Sequence, residues 1–232
     1  MISLQGLQRT YPGGAGVHHV DLNAAAGAVY ALVGPNGAGK TTTLGVLTGH
    51  LFTRRGTLSL DGRPVPLDRH APRPGMASVA FDPVLDPALT AWEWLGYAGA
   101  LRGARPGADG LLWAERLQLP AEALDRTLGT LSDGNRRKAA LWSAFQLAER
   151  VLVLDEPLTG LDPASIVAFE RAVRAYAGAG GTVVLSTHLL PQAERLATHV
   201  GMIVGGRTVA EGTVAEVCQG RTLEERFMAE VA

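Results

Sequence analysis

The segment Gly34-Pro35-Asn36-Gly37-Ala38-Gly39-Lys40-Thr41 matches the pattern G-x-x-x-x-G-K-[ST], in which a glycine-rich loop cradles phosphate groups. An apolar run at residues 28–33 precedes this segment, and a helix-like stretch at residues 42–50 follows it. The pattern requires this context, a buried strand that enters the loop and a helix that leaves it. The alternative is a glycine-rich turn with a chance lysine, which the flanking strand and helix disfavour. The sequence therefore predicts a nucleoside triphosphate site.

The residue types of this phosphate loop (residues 34–41) explain the prediction. Glycines let the backbone curl so that successive N–H groups converge on phosphate oxygens, and the N-terminus of the following helix adds partial positive charge. We expect Lys40 to reach the terminal phosphates and the Thr41 hydroxyl to bind Mg²⁺. The nucleotide-binding residues predicted in this region are Gly34, Pro35, Asn36, Gly37, Ala38, Gly39, Lys40, Thr41 and Thr42.

Composition limits the classes of protein to consider. The 232 residues suffice for one sizeable core or for one domain with a subdomain, and a hydrophobic content of 47% is typical of a globular chain. The net charge of -1 argues against a nucleic-acid partner, which needs a clear excess of Lys and Arg. The single cysteine, Cys218, excludes an internal disulfide and fits a reducing compartment. The longest apolar stretch, residues 24–34, falls short of the ~20 residues that a membrane span needs, and no secretory signal is expected.

Apolar periodicity divides the chain into three parts. Strand patterns dominate the first part, and helical patterns dominate residues 90–148, where Thr90 and Glu93 form a capping-box pattern. From Val151 onward strands and helices alternate, which implies parallel strands joined by crossover helices. We expect the tryptophans of the helical part to pack within it, with a partner-facing aromatic patch as the second choice. The predicted strands are residues 2–11, 20–23, 28–33, 57–60, 77–81, 151–154, 182–186, 199–204 and 208–210, and residues 63–75 are predicted to be a connector.

Two acids, Asp155 and Glu156, end the apolar strand at residues 151–154. Open α/β sheets bind ligands at the carboxyl ends of their strands. There Asp155 could hold Mg²⁺ through its water shell, and Glu156 is a candidate base that orients and polarises the attacking water. A solvated strand edge is the alternative, which the phosphate loop on the same chain disfavours. His188 follows another predicted strand, and its position alone fits a phosphate contact and a surface residue equally well.

These segments together resemble the nucleotide-binding subunit of ABC (ATP-binding cassette) transporters, over nearly the whole chain. The most diagnostic element is Leu131-Ser132-Asp133-Gly134-Asn135, which matches the family's Leu-Ser-Gly-Gly-Gln signature just before a helix. The resemblance implies an α/β fold, a P-loop NTPase core with a mostly parallel sheet, an N-terminal antiparallel β part and an inserted helical subdomain. It assigns residues 1–89 and 149–232 to the core and residues 90–148 to the helical subdomain.

The resemblance also implies a role for each matching residue. Glu156 and His188 are then the catalytic pair, and Thr41 and Asp155 the Mg²⁺ ligands. Tyr11 is the aromatic residue that stacks on adenine, and Asp162 belongs to the D-loop at residues 159–162. In the family, the signature contacts the ATP of a partner cassette, so that two cassettes hold two ATP molecules head-to-tail. The residues implied for this contact in trans are Ser132, Gly134 and Asn135.

The same resemblance implies partners and a location. The expected partners are a second cassette, as an identical copy, and a separate transmembrane permease that docks in the groove beside the helical subdomain. ATP and Mg²⁺ are the expected cofactors, and the cytoplasmic face of the membrane is the expected location. Details of the 40–43 and 159–162 segments favour export over import, and the transported substrate is a property of the permease.

Two residues depart from the family pattern. Phe81 occupies the position of a glutamine that touches Mg²⁺ and the attacking water, so either hydrolysis is slowed or Asp82 substitutes. Asp133 replaces the first signature glycine, and a carboxylate there repels a triphosphate unless it points away or pairs with a cation. Arg136 and Arg137 are near enough in sequence to offer that pairing, although we expect them to form a solvated helix face.

Two other functions remain open at this stage. A soluble ABC ATPase of DNA repair or translation is disfavoured, because repair members carry a long coiled-coil insert and translation members carry two cassettes. A module that binds ATP without hydrolysing it would explain the two departures. The presence of both Glu156 and His188 argues against that module.

Overall fold

A computed structural model describes residues 1–71, 73–148 and 150–231 of the chain. Pro72 of the predicted connector, residue 149 at the predicted domain boundary and the last residue, 232, lie outside the described residues. The strands of the described part are β1 (Ile2–Thr10), β2 (Gly16–Ala24), β3 (Val29–Val33), β4 (Thr57–Leu60), β5 (Arg63–Val65), β6 (Met76–Val79), β7 (Val151–Asp155), β8 (Thr182–Thr187), β9 (His199–Val204) and β10 (Arg207–Thr213). The α-helices are α1 (Lys40–Thr48), α2 (Ala91–Arg102), α3 (Gly110–Arg116), α4 (Asp133–Leu147), α5 (Pro163–Gly178), α6 (Leu190–Leu196), α7 (Val214–Cys218) and α8 (Leu223–Val231).

These strands form one sheet in the order β5-β4-β1-β2-β10-β9-β3-β8-β7-β6. The half β9-β3-β8-β7-β6 is parallel throughout. The part β5-β4-β1-β2 is antiparallel. Strand β10 lies between the two parts, antiparallel to β9 and parallel to β2. The predicted α/β fold with a parallel core and an N-terminal antiparallel part is confirmed.

The central strands β3, β7 and β8 are buried along their whole length, as expected for parallel strands covered on both faces. Their carboxyl ends lie at one edge of the sheet, because the register pairs Val33 with Thr187 and Asp155 with Ser186. The phosphate loop leaves β3 at this edge, and residues 156 and 188 leave β7 and β8 there. Parallel topology therefore brings segments together that are more than a hundred residues apart in the chain.

The prediction of a connector over residues 63–75 is wrong for Arg63–Val65, which form β5. Asp61 and Gly62 both have positive φ (50° and 74°), the conformation of a two-residue hairpin turn that pairs β4 with β5. Pro64 is tolerated because β5 is the edge strand of the sheet. The Asp61-Gly62 pair is therefore the turn of a β-hairpin.

The tryptophans of the helical region (residues 90–148) pack within it, as predicted. Trp142 is fully buried on α4, meets Trp92 edge-on at a centroid distance of 4.8 Å and donates from Nε1 to the Gly110 carbonyl at 2.8 Å. Trp113 stacks on Phe145 at 4.7 Å. These contacts join α2, α3 and α4 into one packed unit, while the exact domain limits at 90 and 148 stay a prediction.

The expected capping box at the start of α2 is confirmed. The Thr90 hydroxyl accepts from the Glu93 N–H, and the Glu93 carboxylate accepts from the Thr90 N–H. The same reciprocal pair joins Thr213 and Glu216 at the start of α7. Within residues 1–71, 73–148 and 150–231, no helix combines the length and the apolar character needed to cross a bilayer.

Candidate active site

The phosphate loop is shaped by two glycines that no other residue could replace. Gly39 has φ 106°, and a Cβ there would lie 2.4 Å from Cγ1 of Val17 on β2. A Cβ on Gly34 would lie 2.3 Å from the Ile203 carbonyl oxygen on β9. Both distances are far inside van der Waals contact. The loop is therefore packed tightly against β2 and β9.

Helix α1 begins at Lys40 with N–H groups that point toward the loop. Gly39 precedes the helix in a left-handed conformation, and within the described residues no side chain caps its N-terminus. Uncapped N–H groups at a helix start form an anion site. Ala38 is buried and donates its N–H to the Pro35 carbonyl, which closes the loop on itself.

The Lys40 side chain is folded over the loop and almost fully buried. Its ammonium donates to the carbonyl oxygens of Gly34 (2.8 Å) and Pro35 (3.3 Å), and it lies 3.5 Å from Oε1 of Glu156. A buried cation bound mainly to carbonyl groups is a ready partner for an anion, because charge-assisted hydrogen bonds are stronger. The lysine thus joins the phosphate loop to the end of β7.

Ser186 on β8 holds the two acids at the end of β7. Its hydroxyl donates to Oδ1 of Asp155 and accepts from the Glu156 N–H at 2.9 Å. Asp155 and Ser186 are direct neighbours in the parallel register, which places the hydroxyl between the two groups. Sequence reasoning assigned no role to Ser186. The signal that could have found it is a serine one residue before the end of a buried strand, at the same depth as the acids.

Glu156 has an unusual backbone and a defined side chain. Its φ of 47° lies in the left-handed region, which costs a non-glycine residue about 1–3 kcal/mol and occurs mainly at functional sites. The carboxylate is buried, with Oε2 2.9 Å from Nδ1 of His188 and Oε1 facing Lys40. The three residues from α1, β7 and the end of β8 therefore meet at one point of the sheet edge.

A pocket of about 460 Å³ lies over the phosphate loop. Tyr11 lines it, and Phe81 and Glu156 line it as well. The other lining residues are Ala15, Gly16, Asn36, Gly37, Gly39, Lys40, Thr41 and Thr42. Most of the nucleotide-binding residues predicted from sequence thus share one cavity, while their individual roles stay predictions.

Thr41 and Asp155 line a second, smaller cavity of about 270 Å³ between α1 and the ends of β6 and β7. Hydroxyl and carboxylate oxygens are ligands that suit Mg²⁺, which keeps several waters and binds phosphate oxygens as well. Asp155 is buried and uses Oδ1 for Ser186. The two residues predicted as metal ligands therefore line the same cavity, and their binding of Mg²⁺ stays a prediction.

Tyr11 lies just after β1 and is partly exposed. The Arg9 guanidinium lies 5.2 Å from the centroid of its ring and 5.4 Å from that of Phe52. A hydrogen bond from Arg9 lowers the pKa of the Tyr11 hydroxyl, against the opposing effect of burial. Arg9 thus holds the ring at the entrance of the pocket, where an aromatic face suits a nucleotide base.

Phe81 and Asp82 follow the end of β6, beyond the last ladder pair Val79–Leu154. Phe81 is half exposed and lines the pocket. Asp82 is exposed and is absent from the described residues that line it. This arrangement argues against substitution by Asp82, and the other expectation for this position, slowed hydrolysis, stays a prediction.

The expectation that Arg136 and Arg137 form a solvated helix face is wrong for Arg137. This residue is 7% exposed, and its guanidinium donates to four carbonyl oxygens. Nη1 donates to Ala80 and Phe81, and Nη2 donates to Asp155 and Glu156. Burial lowers the pKa of Arg137, and the nearby charge of Asp155 opposes that shift. Sequence reasoning missed this residue because adjacent arginines after a helix start are usually solvated.

Comparison with known proteins identifies the family. The sequence profile described as ABC transporter matches residues 17–159. The chain belongs to the ABC transporter family. The predicted resemblance is thereby confirmed, and the residues described above form part of an ATP-binding cassette.

Individual relatives agree with this assignment. The daunorubicin/doxorubicin resistance ATP-binding protein of Streptomyces peucetius is 36% identical over 225 residues, which are 93% of this chain and 66% of that protein. The Nod factor export ATP-binding protein I of Ralstonia nicotianae is 35% identical, over 94% of this chain and 68% of that protein. This cassette thus spans about two thirds of the length of these relatives.

Solved structures show the same fold. The structure of an ATP-binding subunit of an ABC transporter is 28% identical and superposes with a TM-score of 0.87, covering 100% of this chain and 99% of that one. A dimeric cassette in a post-hydrolysis state with ADP and Pi is 21% identical, with a TM-score of 0.79 over 92% of this chain and 99% of that one.

The signature of this cassette lies at the N-terminus of α4. Ser132 caps the helix, and its hydroxyl accepts from the Asn135 N–H at 3.3 Å. The Asp133 side chain is 93% exposed and pairs with Arg136 one helical turn later. The pairing that the sequence offered as the alternative for Arg136 is therefore present, on an exposed part of the helix. A Cβ on Gly134 would meet nothing closer than the Gly160 carbonyl oxygen at 3.8 Å, so this glycine has open space in the single chain.

Asp162 of the D-loop caps helix α5 in the cassette. Its carboxylate accepts from the Ser165 hydroxyl at 2.6 Å and from the Ser165 N–H at 2.9 Å. These two hydrogen bonds lower the pKa of Asp162. Within one chain, therefore, Asp162 acts as a helix cap, and any contact across a cassette pair remains a prediction.

Proposed function

We propose that this cassette is a Mg²⁺-dependent ATPase that works as a pair of identical chains and drives a separate transmembrane permease. The observation that carries the proposal is the meeting of Lys40, Glu156 and His188 beside an uncapped helix start. A lysine that opposes phosphate charge and a carboxylate that can orient water, beside a phosphate loop, are groups that suit phosphoryl transfer to water.

The residues divide the chemistry among themselves. Lys40 and the N–H groups of the loop hold the terminal phosphates and oppose their negative charge. The Glu156 carboxylate orients the attacking water and accepts its proton, while the water oxygen bonds to the terminal phosphorus and the bond from that phosphorus to the oxygen of the leaving ADP breaks. His188 holds Glu156 through its 2.9 Å contact, and we propose that its imidazole also contacts the terminal phosphate. Mg²⁺ held by Thr41 and Asp155 would neutralise charge that develops on the phosphate oxygens.

Pairing of two chains follows from the position of the signature. Ser132, Gly134 and Asn135 begin a helix that faces outward, and they do not line the pocket of their own chain. A ligand for this helix start must then come from another molecule, and a second copy bears the bound triphosphate that fits it. The dimeric cassette with ADP and Pi is a precedent within the same fold.

The permease and the direction of transport are inferred from the relatives. One is named for Nod factor export and another for drug resistance, and both are ATP-binding proteins. We therefore propose that this cassette acts in export, at the cytoplasmic face of a membrane, and is bound there through its permease.

Release of phosphate by the purified chain with Mg²⁺ and ATP tests the proposal. Glu156→Gln removes the proton acceptor at constant size, so the rate should fall about 10²–10⁴-fold while ATP still binds. Glu115→Gln on the exposed surface of α3 is the matched control and should leave the rate unchanged.

One other function has a specific observation in its favour. Phe81 lines the pocket where the family has a water-orienting glutamine, as expected of a module that binds ATP without hydrolysis. If the wild type binds ATP but releases no more phosphate than Glu156→Gln, this second function is correct and the ATPase proposal fails.

A further inference from the structure

The end of β7 is held by one side chain from the signature helix α4. Arg137 lies five residues after Ser132, and its guanidinium donates to the carbonyl oxygens of Ala80 (3.2 Å), Phe81 (2.7 Å), Asp155 (3.1 Å) and Glu156 (2.7 Å). These four oxygens belong to two segments, the end of β6 and the end of β7. No role has been assigned to this residue by the motifs described above.

The four hydrogen bonds lie where the sheet ladder stops. Strands β6 and β7 pair as far as Val79 and Leu154, and the next residues of the two strands diverge. The planar guanidinium presents its N–H groups as a fixed fork, so it can bind both segments at once. Arg137 therefore fixes the spacing between Phe81 and Glu156, the two residues that line the pocket on this side.

The spacing between Phe81 and Glu156 matters for the chemistry because of the backbone conformation of Glu156. A left-handed φ of 47° is unfavourable for glutamate and persists only when its surroundings hold it. Ser186 binds the N–H of Glu156, and Arg137 binds its carbonyl oxygen, so the residue is held on both sides. The direction of the carboxylate depends on this backbone geometry.

Packing alone is a poor explanation for a buried arginine at this point. Transfer of a charged group from water costs free energy, and an apolar side chain of similar volume would avoid this cost. Within the described residues, no carboxylate lies within 4.0 Å of the Arg137 guanidinium, and its Nε has no partner. The charge is bound by backbone oxygens of the two strand ends.

We infer that Arg137 is a positioning residue for the catalytic carboxylate of Glu156, acting through the backbone of residues 155–156 and 80–81. The inference rests on the proposed ATPase function. Because α4 also carries the signature at its start, the same side chain ties the position of Glu156 to the helix that meets the second cassette.

Steady-state ATP hydrolysis by three variants tests the inference. Arg137→Met keeps the length of the side chain and removes the donors, so kcat should fall about 10²-fold, as expected for a small misplacement of a reacting group. KM for ATP should change by less than about twofold, because Lys40 and the loop remain intact. Arg137→Lys, which keeps the charge and some donors, should recover part of the loss.

Lys138→Met is the matched control. Lys138 is the next residue of α4, is almost as buried, and donates from Nζ to the Gln118 carbonyl at 3.1 Å, inside the helical region. A purely structural role would make the two Met variants alike, with equal losses in Tm and little loss of kcat in the folded fraction. That result, or a parallel change of kcat and KM with no recovery in Arg137→Lys, overturns the inference.

Amide hydrogen exchange supplies a readout that does not require hydrolysis. Arg137→Met should exchange faster in peptides that cover residues 79–83 and 155–159, and Lys138→Met should not. If the wild type hydrolyses no ATP but these segments still loosen, the proposed function fails while the positional role of Arg137 stands. If exchange there is unchanged, the inference fails. Should Arg137→Met not fold, Arg137→Lys is judged by the same two measurements.

Discussion

The phosphate loop and the signature both contain glycines, and both open a helix, but the structure treats them differently. The loop before α1 is folded against the sheet, has left-handed glycines at Gly37 and Gly39 and leaves its helix start without a side-chain cap. The signature before α4 is capped by its own Ser132 and carries an exposed, paired Asp133. Gly134 there has a helical φ and open space around it.

This difference teaches what each segment can do alone. The loop combines an uncapped helix start with a buried lysine, and we propose that one chain suffices to bind a triphosphate there. The signature is partly capped by its own Ser132, and we propose that its ligand comes from a second molecule. The two helix starts are thus the two halves of a site that we propose forms between two copies.

Among the substitutions that test the difference between the phosphate loop and the signature, Lys40→Met should have the largest effect. Removal of the ammonium eliminates charge-assisted hydrogen bonds worth about 1.5–3 kcal/mol, so the Kd for ATP should rise about 10- to 100-fold. Lys138→Met removes a lysine of similar burial that lies outside the pocket, and it should leave the Kd unchanged. Titration calorimetry with Mg-ATP measures both values. Equal affinities for ATP in the two variants would show that the phosphate loop does not bind the triphosphate in the proposed way.

Phe81→Gln tests whether the residue beside the phosphate loop limits the rate of hydrolysis. Arg137 binds the carbonyl of residue 81, so the backbone stays in place and the new amide replaces the ring beside the pocket. Placement of the attacking water should then improve, and kcat should rise about tenfold.

Phe81→Leu is the control, because its side chain is apolar and cannot orient water. It should leave kcat unchanged in a phosphate-release assay. If Phe81→Gln lowers the rate or leaves it as it is, this position does not limit hydrolysis.

Asp133→Gly tests whether the charge in the signature weakens the pairing of two cassettes. The change removes a negative charge from the helix start that should face a triphosphate, so ATP-dependent dimers of the Glu156→Gln background should become about fivefold tighter. The monomer should lose a little stability at the same time, since an acid in the first turn favours the helix and glycine does not.

Gel filtration over a series of protein concentrations measures the dimer. Arg136→Ala is the opposite test, because it leaves the Asp133 charge unpaired and should weaken the dimer. Weaker dimers in Asp133→Gly, or tighter ones in Arg136→Ala, would contradict the proposed role of the signature in trans.

The smallest effect is expected at Asp162, whose carboxylate caps α5. Its folded-state pKa lies below the unfolded value of about 3.9, so it stabilises the fold above that pH and loses its contribution as the pH falls through the folded pKa. The difference in Tm between wild type and Asp162→Asn should therefore be present at neutral pH and vanish in strong acid.

Scanning calorimetry across this pH range measures the difference. Asparagine is itself a good helix cap, so the substitution removes only the contribution to stability that depends on ionisation of the carboxylate. A Tm difference that persists in acid would show that the carboxylate contributes nothing specific. An unchanged ATP affinity in the monomer is expected, because Asp162 lies outside the lining of the pocket.

Local patterns predicted much of the fold. The buried strands β3, β7 and β8, the capping box at Thr90 and the packed tryptophans follow from residue types within a few positions of each other. The short strand β5 was missed, because three residues with a proline carry little strand signal and the hairpin turn before them decides the pairing.

Active-site residues that belong to short contiguous motifs could be predicted from the sequence. Residues that contact the site from distant segments of the chain could not. The loop at residues 34–41 and the acids at 155–156 are contiguous in sequence. Ser186 and Arg137 act on those acids from 30 and 18 residues away or more. Arg137 does so only through backbone oxygens, which every residue possesses, so no pattern of residue types marks its contacts.

By itself, the sequence determined the chemistry of this cassette, because glycines, a lysine and two acids at fixed spacings restrict what the backbone can bind. The tertiary structure decided the geometry. The parallel register put Ser186 beside Asp155, a left-handed backbone turned Glu156 toward His188 and Lys40, and burial made Arg137 a ligand of two strand ends. The physical reason is that hydrogen bonds to main-chain groups depend on where the chain runs and not on which residue lies there.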